Sequence, residues 1–140
     1  LLILFSMWWA YFDYPMHHLL TSFRRVFLWG YGHYFIFASA AAVGAGLAVE
    51  IAYATHHAEI SSVVAGAAVA IPVAIFITVL WLFYGGIRAD DPLQRFLIPV
   101  AVVLILTTPF WGEQTALWVG LIMVGLLAYK LTHRQRYQDS

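Results

Sequence analysis

The stretch SVVAGAAVAIPVAIFITVLWLFY, residues 62–84, decides the fold class of this chain. It contains no charged side chain, and about 20 residues of helix are enough to cross a hydrocarbon core. The whole chain is 63% hydrophobic and 10% charged, with a mean hydropathy of +0.82. A soluble domain has roughly 45–50% apolar and about 25% charged residues. The sequence therefore predicts an all-α protein whose helices lie in a membrane.

Other apolar runs flank this stretch, so we expect one polytopic transmembrane helical bundle of about five spans across residues 1–140. The expected spans are 1–14, 26–55, 62–84, 96–111 and 114–132. The first is short, because about 1.5 Å per residue gives about 21 Å of helix against a hydrocarbon core of about 30 Å. We therefore expect the chain to be a fragment of a longer polypeptide.

The basic residues predict how these helices are oriented. Arginine and lysine concentrate in cytoplasmic loops. Here they follow the first, third and fifth apolar runs and are missing from the two other loops. Arg24 and Arg25 follow the first run, Arg88 and Arg95 follow the third, and Lys130, Arg134 and Arg136 lie at the end of the fifth. This alternation predicts a multi-pass protein with its C-terminus in the cytoplasm.

Small residues in the second and third runs predict how two helices pack. Helices in lipid associate where small side chains let their backbones approach. The rows spaced by four residues are Ala38, Ala42 and Gly46, then Ala40, Gly44 and Ala48, and in the third run Gly66, Ala70 and Ala74. We expect a close antiparallel pair, the alternative being two alanine-rich helices packed against different neighbours.

Asp13, His33 and Glu50 are the candidate polar residues within the membrane. A charged residue at the middle of a membrane helix costs roughly 3 kcal/mol, so each one invites a functional hypothesis. Glu50 should face protein, where burial favours its neutral form, as a proton or cation site requires. It could equally be hydrogen-bonded to a neighbouring helix or reach the interface. Asp13 and His33 could form a buried pair, or Arg24 or Arg25 could neutralise Asp13.

Several classes of activity find no support in the sequence. The net charge is zero, and no basic face is broad enough for nucleic acid. The absence of cysteine excludes disulfides, thiolate metal sites and cysteine nucleophiles. Neighbouring histidines, as in His17-His18 and His56-His57, diverge on a helix, so no metal site is predicted. No catalytic motif is present, so we expect no enzyme. The cofactor is left unknown, since ligation of haem or a pigment would rest on His33 alone.

Three segments together resemble the bacterial low-temperature-requirement A (LtrA) family of polytopic membrane proteins. They are Trp8-Trp9-Ala10-Tyr11-Phe12-Asp13, Tyr31-Gly32-His33, and Ala42-Val43-Gly44-Ala45-Gly46-Leu47 leading to Glu50. Their order and spacing match the C-terminal half of the family over residues 5–88. In the family pattern the acidic residue often follows the glycine-leucine pair directly, whereas Ala48 and Val49 intervene here. The resemblance implies a bacterial inner (cytoplasmic) membrane protein, longer than this chain and without an established activity.

Two hypotheses of different classes follow. In the first, an LtrA-like membrane protein binds or moves a small solute or proton, with Asp13, His33 and Glu50 as its polar core. In the second, the chain is a non-catalytic accessory transmembrane subunit of a larger photosynthetic or respiratory complex, whose partners are the lipid bilayer and other transmembrane subunits. A transporter should line a cavity with its polar residues, whereas an accessory subunit can bury them in pairs and present a broad apolar surface.

Overall fold

The computed structural model describes residues 1–13, 23–83 and 92–138 of the chain. Within these ranges it contains five α-helices and no strand, which confirms the predicted all-α class. The helices are α1 (Leu2–Phe12), α2 (Phe23–Ala54), α3 (Ser62–Phe83), α4 (Pro92–Thr107) and α5 (Thr115–Gln138), with a short 3-10 helix (Thr108–Phe110) between the last two.

Three of the helices contain segments long and apolar enough to cross a membrane. These segments are Trp29–Ala54, Ser62–Phe83 and Thr115–Thr132. Two shorter apolar helical segments, Leu2–Phe12 and Arg95–Phe110, accompany them. Helix α4 begins at Pro92, ahead of the span expected from residue 96, because proline suits the first helical turn, where its missing N–H would have no partner. The number of membrane crossings stays a prediction.

Helix α3 is the centre of the bundle. It contacts α2, α4, the 3-10 helix and α5. In the most apolar 18-residue stretch of α3, 56% of the residues are buried, against 22% in the corresponding stretches of α2 and α5. A helix that is apolar on all sides is expected where neighbours surround it. The uncharged stretch that marks the chain as a membrane protein therefore also forms its core.

Helices α2 and α3 form the most extensive helix pair. Gly32 near the start of α2 lies against Phe83 at the end of α3. Gly46, further along α2, lies against Ala68 and Val69 in the first half of α3. Residue numbers thus rise along one helix as they fall along the other. The predicted close antiparallel pair is confirmed.

The face of α2 that packs on α3 differs from the predicted rows of small residues. Its buried residues are Gly32, Ile36, Ser39, Val43 and Gly46. Most of the predicted rows lie elsewhere, since Ala38, Gly44 and Ala48 are exposed and Ala40 and Ala42 are half-buried. A strict spacing of four drifts around a helix of 3.6 residues per turn, whereas alternating steps of four and three stay on one face. The predicted row on α3, formed by Gly66, Ala70 and Ala74, is buried.

Candidate functional site

The three predicted polar residues are divided between two ends of the bundle. Asp13 caps the C-terminal end of α1 and His33 lies in the first half of α2. Glu50 lies near the end of α2, about 25 Å from His33 at a rise of about 1.5 Å per residue. We name these regions the His33 end and the Glu50 end.

His33 is held by two hydrogen bonds. Its Nδ1 lies 2.7 Å from the carbonyl oxygen of Trp29, one turn earlier in α2. Its Nε2 lies 3.2 Å from the hydroxyl oxygen of Tyr11 in α1. A carbonyl oxygen only accepts, so Nδ1 carries a hydrogen and donates it. In the neutral ring, Nε2 then accepts the hydrogen of the Tyr11 hydroxyl, and the tautomer is determined by these two neighbours.

Aromatic rings surround the imidazole of His33. The ring centroid of Trp29 lies 4.0 Å away, and those of Tyr11 and Phe37 each lie 6.0 Å away. Phe83 of α3 stacks on it at 6.3 Å. Aromatic faces attract a cation through their negative quadrupole. The imidazole is therefore enclosed mainly by aromatic rings, whose faces could bind a cation.

An ion pair lies at the same end of the bundle. Lys130 Nζ of α5 lies 2.9 Å from Asp13 Oδ2, and the side chains are 35% and 10% exposed. Leu2 lies against Gly120 near the other end of the same two helices, so α1 and α5 run parallel. The pair joins the C-terminal end of α1 to α5.

The partner of Asp13 differs from those that the sequence suggested, which were His33, Arg24 and Arg25. The structure pairs Asp13 with Lys130, and His33 with Tyr11. The side chains of Arg24 and Arg25 lie outside the described part of the structure. The sequence did not predict Tyr11 or Lys130 as the partners of these residues, although Lys130 is its only lysine and follows a long apolar run. This isolated charge at the end of an apolar run was the feature of the sequence that could have indicated an ion pair.

Near the His33 end, three tryptophans have an indole N–H that finds no hydrogen-bond partner among residues 1–13, 23–83 and 92–138. They are Trp9 of α1, Trp29 of α2 and Trp81 of α3, and in each the nitrogen is buried. Leaving a buried donor unsatisfied costs about 1–3 kcal/mol. Within the described part of the chain, this end therefore has three indole donors that could bond to a ligand.

At the Glu50 end, a carboxylate of α2 bonds to the backbone of α5. Glu50 Oε1 accepts the N–H of Ala116 at 3.1 Å, in the first turn of α5. One turn further along, the Tyr53 hydroxyl donates to Glu113 Oε1 at 3.3 Å. The first N–H groups of a helix lack partners within it and carry partial positive charge, so a carboxylate is stabilising there. This is the bond to a neighbouring helix that the sequence left open as an alternative for Glu50.

Two grooves on the described surface are apolar and open. One lies on the outer side of α2 and is lined by Phe27, Gly30, Tyr31, Tyr34 and Phe35. The other lies between α3 and α4 and is lined by Ile71, Ala74, Ile75, Thr78, Val79, Val102 and Leu106. Asp13, His33 and Glu50 line neither groove. In the described part of the chain, these residues lie in side-chain contacts between helices.

The helices are apolar, and their few polar side chains bond to other helices at the two ends of the bundle. These features define a helical membrane protein. The chain belongs to the family of the bacterial low temperature requirement A protein (LtrA), whose model matches residues 1–130. This match reaches beyond residues 5–88, which carried the resemblance in the sequence. No curated protein and no solved structure matches the chain.

Proposed function

We propose that this LtrA-family protein binds protons at His33 and moves them across the bacterial inner membrane. The observation that supports this proposal is the pair of hydrogen bonds that joins His33 to the Trp29 carbonyl and the Tyr11 hydroxyl. The alternating basic loops support a multi-pass topology with a cytoplasmic C-terminus. The His33 end then lies towards the cytoplasm and the Glu50 end towards the outside.

Both hydrogen bonds at His33 suit the neutral and the protonated ring. In the neutral ring, Nε2 accepts a hydrogen from Tyr11. After protonation, Nε2 donates to the same oxygen, because a hydroxyl can accept as well as donate. The bond from Nδ1 to the Trp29 carbonyl is unchanged. Protonation at Nε2 therefore keeps both hydrogen-bond partners and requires only rotation of the Tyr11 O–H group.

The groups near His33 also tolerate the added charge. Asp13 and Lys130 form an ion pair at this end, so together they add no net charge that would oppose an imidazolium. The rings of Trp29 and Phe83 present aromatic surface to it. These features favour a proton as the ligand. A small solute with an acceptor group is the alternative, for which the unpaired indole donors would supply hydrogen bonds.

The proposal predicts that proton flux depends on His33. The protein is reconstituted in liposomes that contain a pH-sensitive dye, and a potassium diffusion potential drives proton entry. We expect wild-type flux above that of empty liposomes. We expect H33F to reduce this flux by at least about tenfold, since it keeps an aromatic ring but removes the proton acceptor. Y11F should reduce it by about two- to fivefold, because only one hydrogen bond is lost.

His57 supplies the matched control for this experiment. It is exposed, lies beyond the end of α2, and its Nδ1 is 3.1 Å from Thr55 Oγ1. H57Q should leave the flux unchanged. The proposal fails if wild-type liposomes conduct no better than empty ones, or if H33F conducts as well as the wild type.

The role of accessory transmembrane subunit is the second candidate, and two observations favour it. Among the described residues, Asp13, His33 and Glu50 bond to neighbouring helices and line neither groove. The outer surface of α2 is also apolar and exposed. Phe27, Tyr31, Tyr34 and Phe35 are 54%, 64%, 70% and 54% exposed and line one groove. Aromatic residues are enriched where one protein contacts another. A helix of another subunit would cover this surface.

Gentle detergent extraction of the native protein tests this second candidate. Stoichiometric co-purification with other membrane subunits, resolved by intact mass, would support it. A protein that runs alone would contradict it. In a true complex, charged substitutions at Tyr31 and Tyr34 should release the chain from its partners.

A further inference from the structure

We infer that Glu50 sets the position of α5, and that α5 carries this effect to the Asp13–Lys130 pair at the opposite end of the bundle. Glu50 then acts as a positioning residue for the His33 end. This inference rests on contacts between the helices and does not depend on the proposed binding of protons.

Helix α5 is bonded by carboxylates of two different helices. Near its start, Glu50 of α2 accepts the N–H of Ala116 at 3.1 Å. Near the end of its apolar part, Lys130 bonds Asp13 of α1 at 2.9 Å. The two points are about 21 Å apart at a rise of about 1.5 Å per residue. Since an α-helix is stiff over this length, an axial displacement at Ala116 reaches Lys130.

The apolar contacts of α5 do not impose an axial position as firmly as these bonds. Its inner face buries Val119 and Met123, and Gly120 lies against Leu2 of α1. Only 22% of the residues in its 18-residue apolar stretch are buried. In lipid such surfaces associate through van der Waals contact, without a hydrophobic drive between helices. Directional polar bonds therefore contribute a large part of the preference for one position.

The bond from Glu50 bridges two helices that share little direct packing. Helix α2 packs mainly on α3, whereas α5 packs mainly on α1. The Tyr53 to Glu113 bond supports the same junction, but it is longer and exposed. A charged acceptor forms a stronger hydrogen bond than a neutral one. Neutralising or removing the Glu50 carboxylate should therefore loosen the start of α5.

Lys130 provides a probe at the far end of α5. It is the only lysine in residues 1–140, and peptide mass spectrometry separates its labelling by an amine-reactive ester from that of any other amine. The ion pair with Asp13 slows this reaction, because it shields the amine from the reagent. The rate of Lys130 labelling in the intact detergent-solubilised protein thus reports how well the pair is formed.

We expect E50A to raise the labelling rate of Lys130 by about threefold to tenfold, in line with the loss of one hydrogen bond of ordinary strength. E50Q keeps an acceptor oxygen and should give a smaller increase. D13N removes the carboxylate that pairs with Lys130, so its labelling rate sets the upper limit for the folded protein. E59A is the matched control, since Glu59 is exposed in the connection between α2 and α3, and its rate should equal that of the wild type.

A labelling rate unchanged from the wild type in both E50A and E50Q, with a raised rate in D13N, would overturn the inference. Unfolding of E50A would be recognised by a rate equal to that of the denatured chain, and E50Q then decides the outcome. Loss of proton flux in H33F with no effect of E50A on labelling would leave the proposed function standing and remove this inference. Unchanged proton flux in H33F together with faster labelling in E50A would remove the proposed function and leave this inference standing.

Discussion

Replacing Gly46 by alanine is expected to destabilise the bundle strongly, whereas the same change at Gly44 should be tolerated. A Cβ atom at Gly46 would overlap the carbonyl oxygen of Ala68 and lie 3.0 Å from the backbone nitrogen of Val69. Both atoms belong to the backbone of α3 and cannot rotate away. Helix α2 would have to move away from α3 along their shared face. At Gly44 a Cβ atom meets nothing within 4 Å.

The two changes should differ by several kcal/mol in the free energy of unfolding. Overpacking costs typically about 1–3 kcal/mol, and a rigid backbone contact lies at the upper end. Because the change to alanine also gains about 1 kcal/mol in helix propensity, we expect a net loss of about 2 kcal/mol for G46A. Alanine has a helix propensity about 1 kcal/mol better than glycine, so G44A should be neutral or slightly stabilising. Unfolding followed by circular dichroism in detergent measures both. Equal transition midpoints for the two variants would show that Gly46 is not a close contact.

Removing Lys130 is the second large change. K130M removes the ammonium group that bonds the Asp13 carboxylate, which is 10% exposed. Breaking a fully buried pair costs about 3–5 kcal/mol, but Lys130 is 35% exposed, so we expect a loss of about 2 kcal/mol. D13N/K130M should lose less than K130M, because no carboxylate then remains at position 13. The exchanged pair D13K/K130D should recover part of the stability.

The variant R95M is the control for K130M. Arg95 is exposed near the start of α4, and R95M removes the same charge without breaking a described ion pair. Unfolding in detergent should show R95M close to the wild type. If K130M and R95M unfold at the same midpoint, the ion pair contributes nothing measurable, as is common for exposed pairs.

The positions of the helices could be predicted from the sequence because they depend on local composition. In hydrocarbon the backbone must satisfy its hydrogen bonds within each segment, so an apolar run of sufficient length becomes a helix. The stretch expected at 62–84 forms α3 at Ser62–Phe83. The pairing of α2 with α3 followed from small residues on neighbouring segments, although only Gly46 of the α2 rows lies fully buried in the contact.

By itself, the sequence determined the fold class, the helix positions, the family resemblance and the polar residues Asp13, His33 and Glu50. Only the tertiary structure decided their partners, which are Lys130, Tyr11 and the backbone of Ala116. The physical reason is that a helix forms from bonds within one segment, whereas a polar partner depends on the order in which helices pack around α3. The bond from Glu50 joins residues 66 positions apart, and no local pattern records that distance.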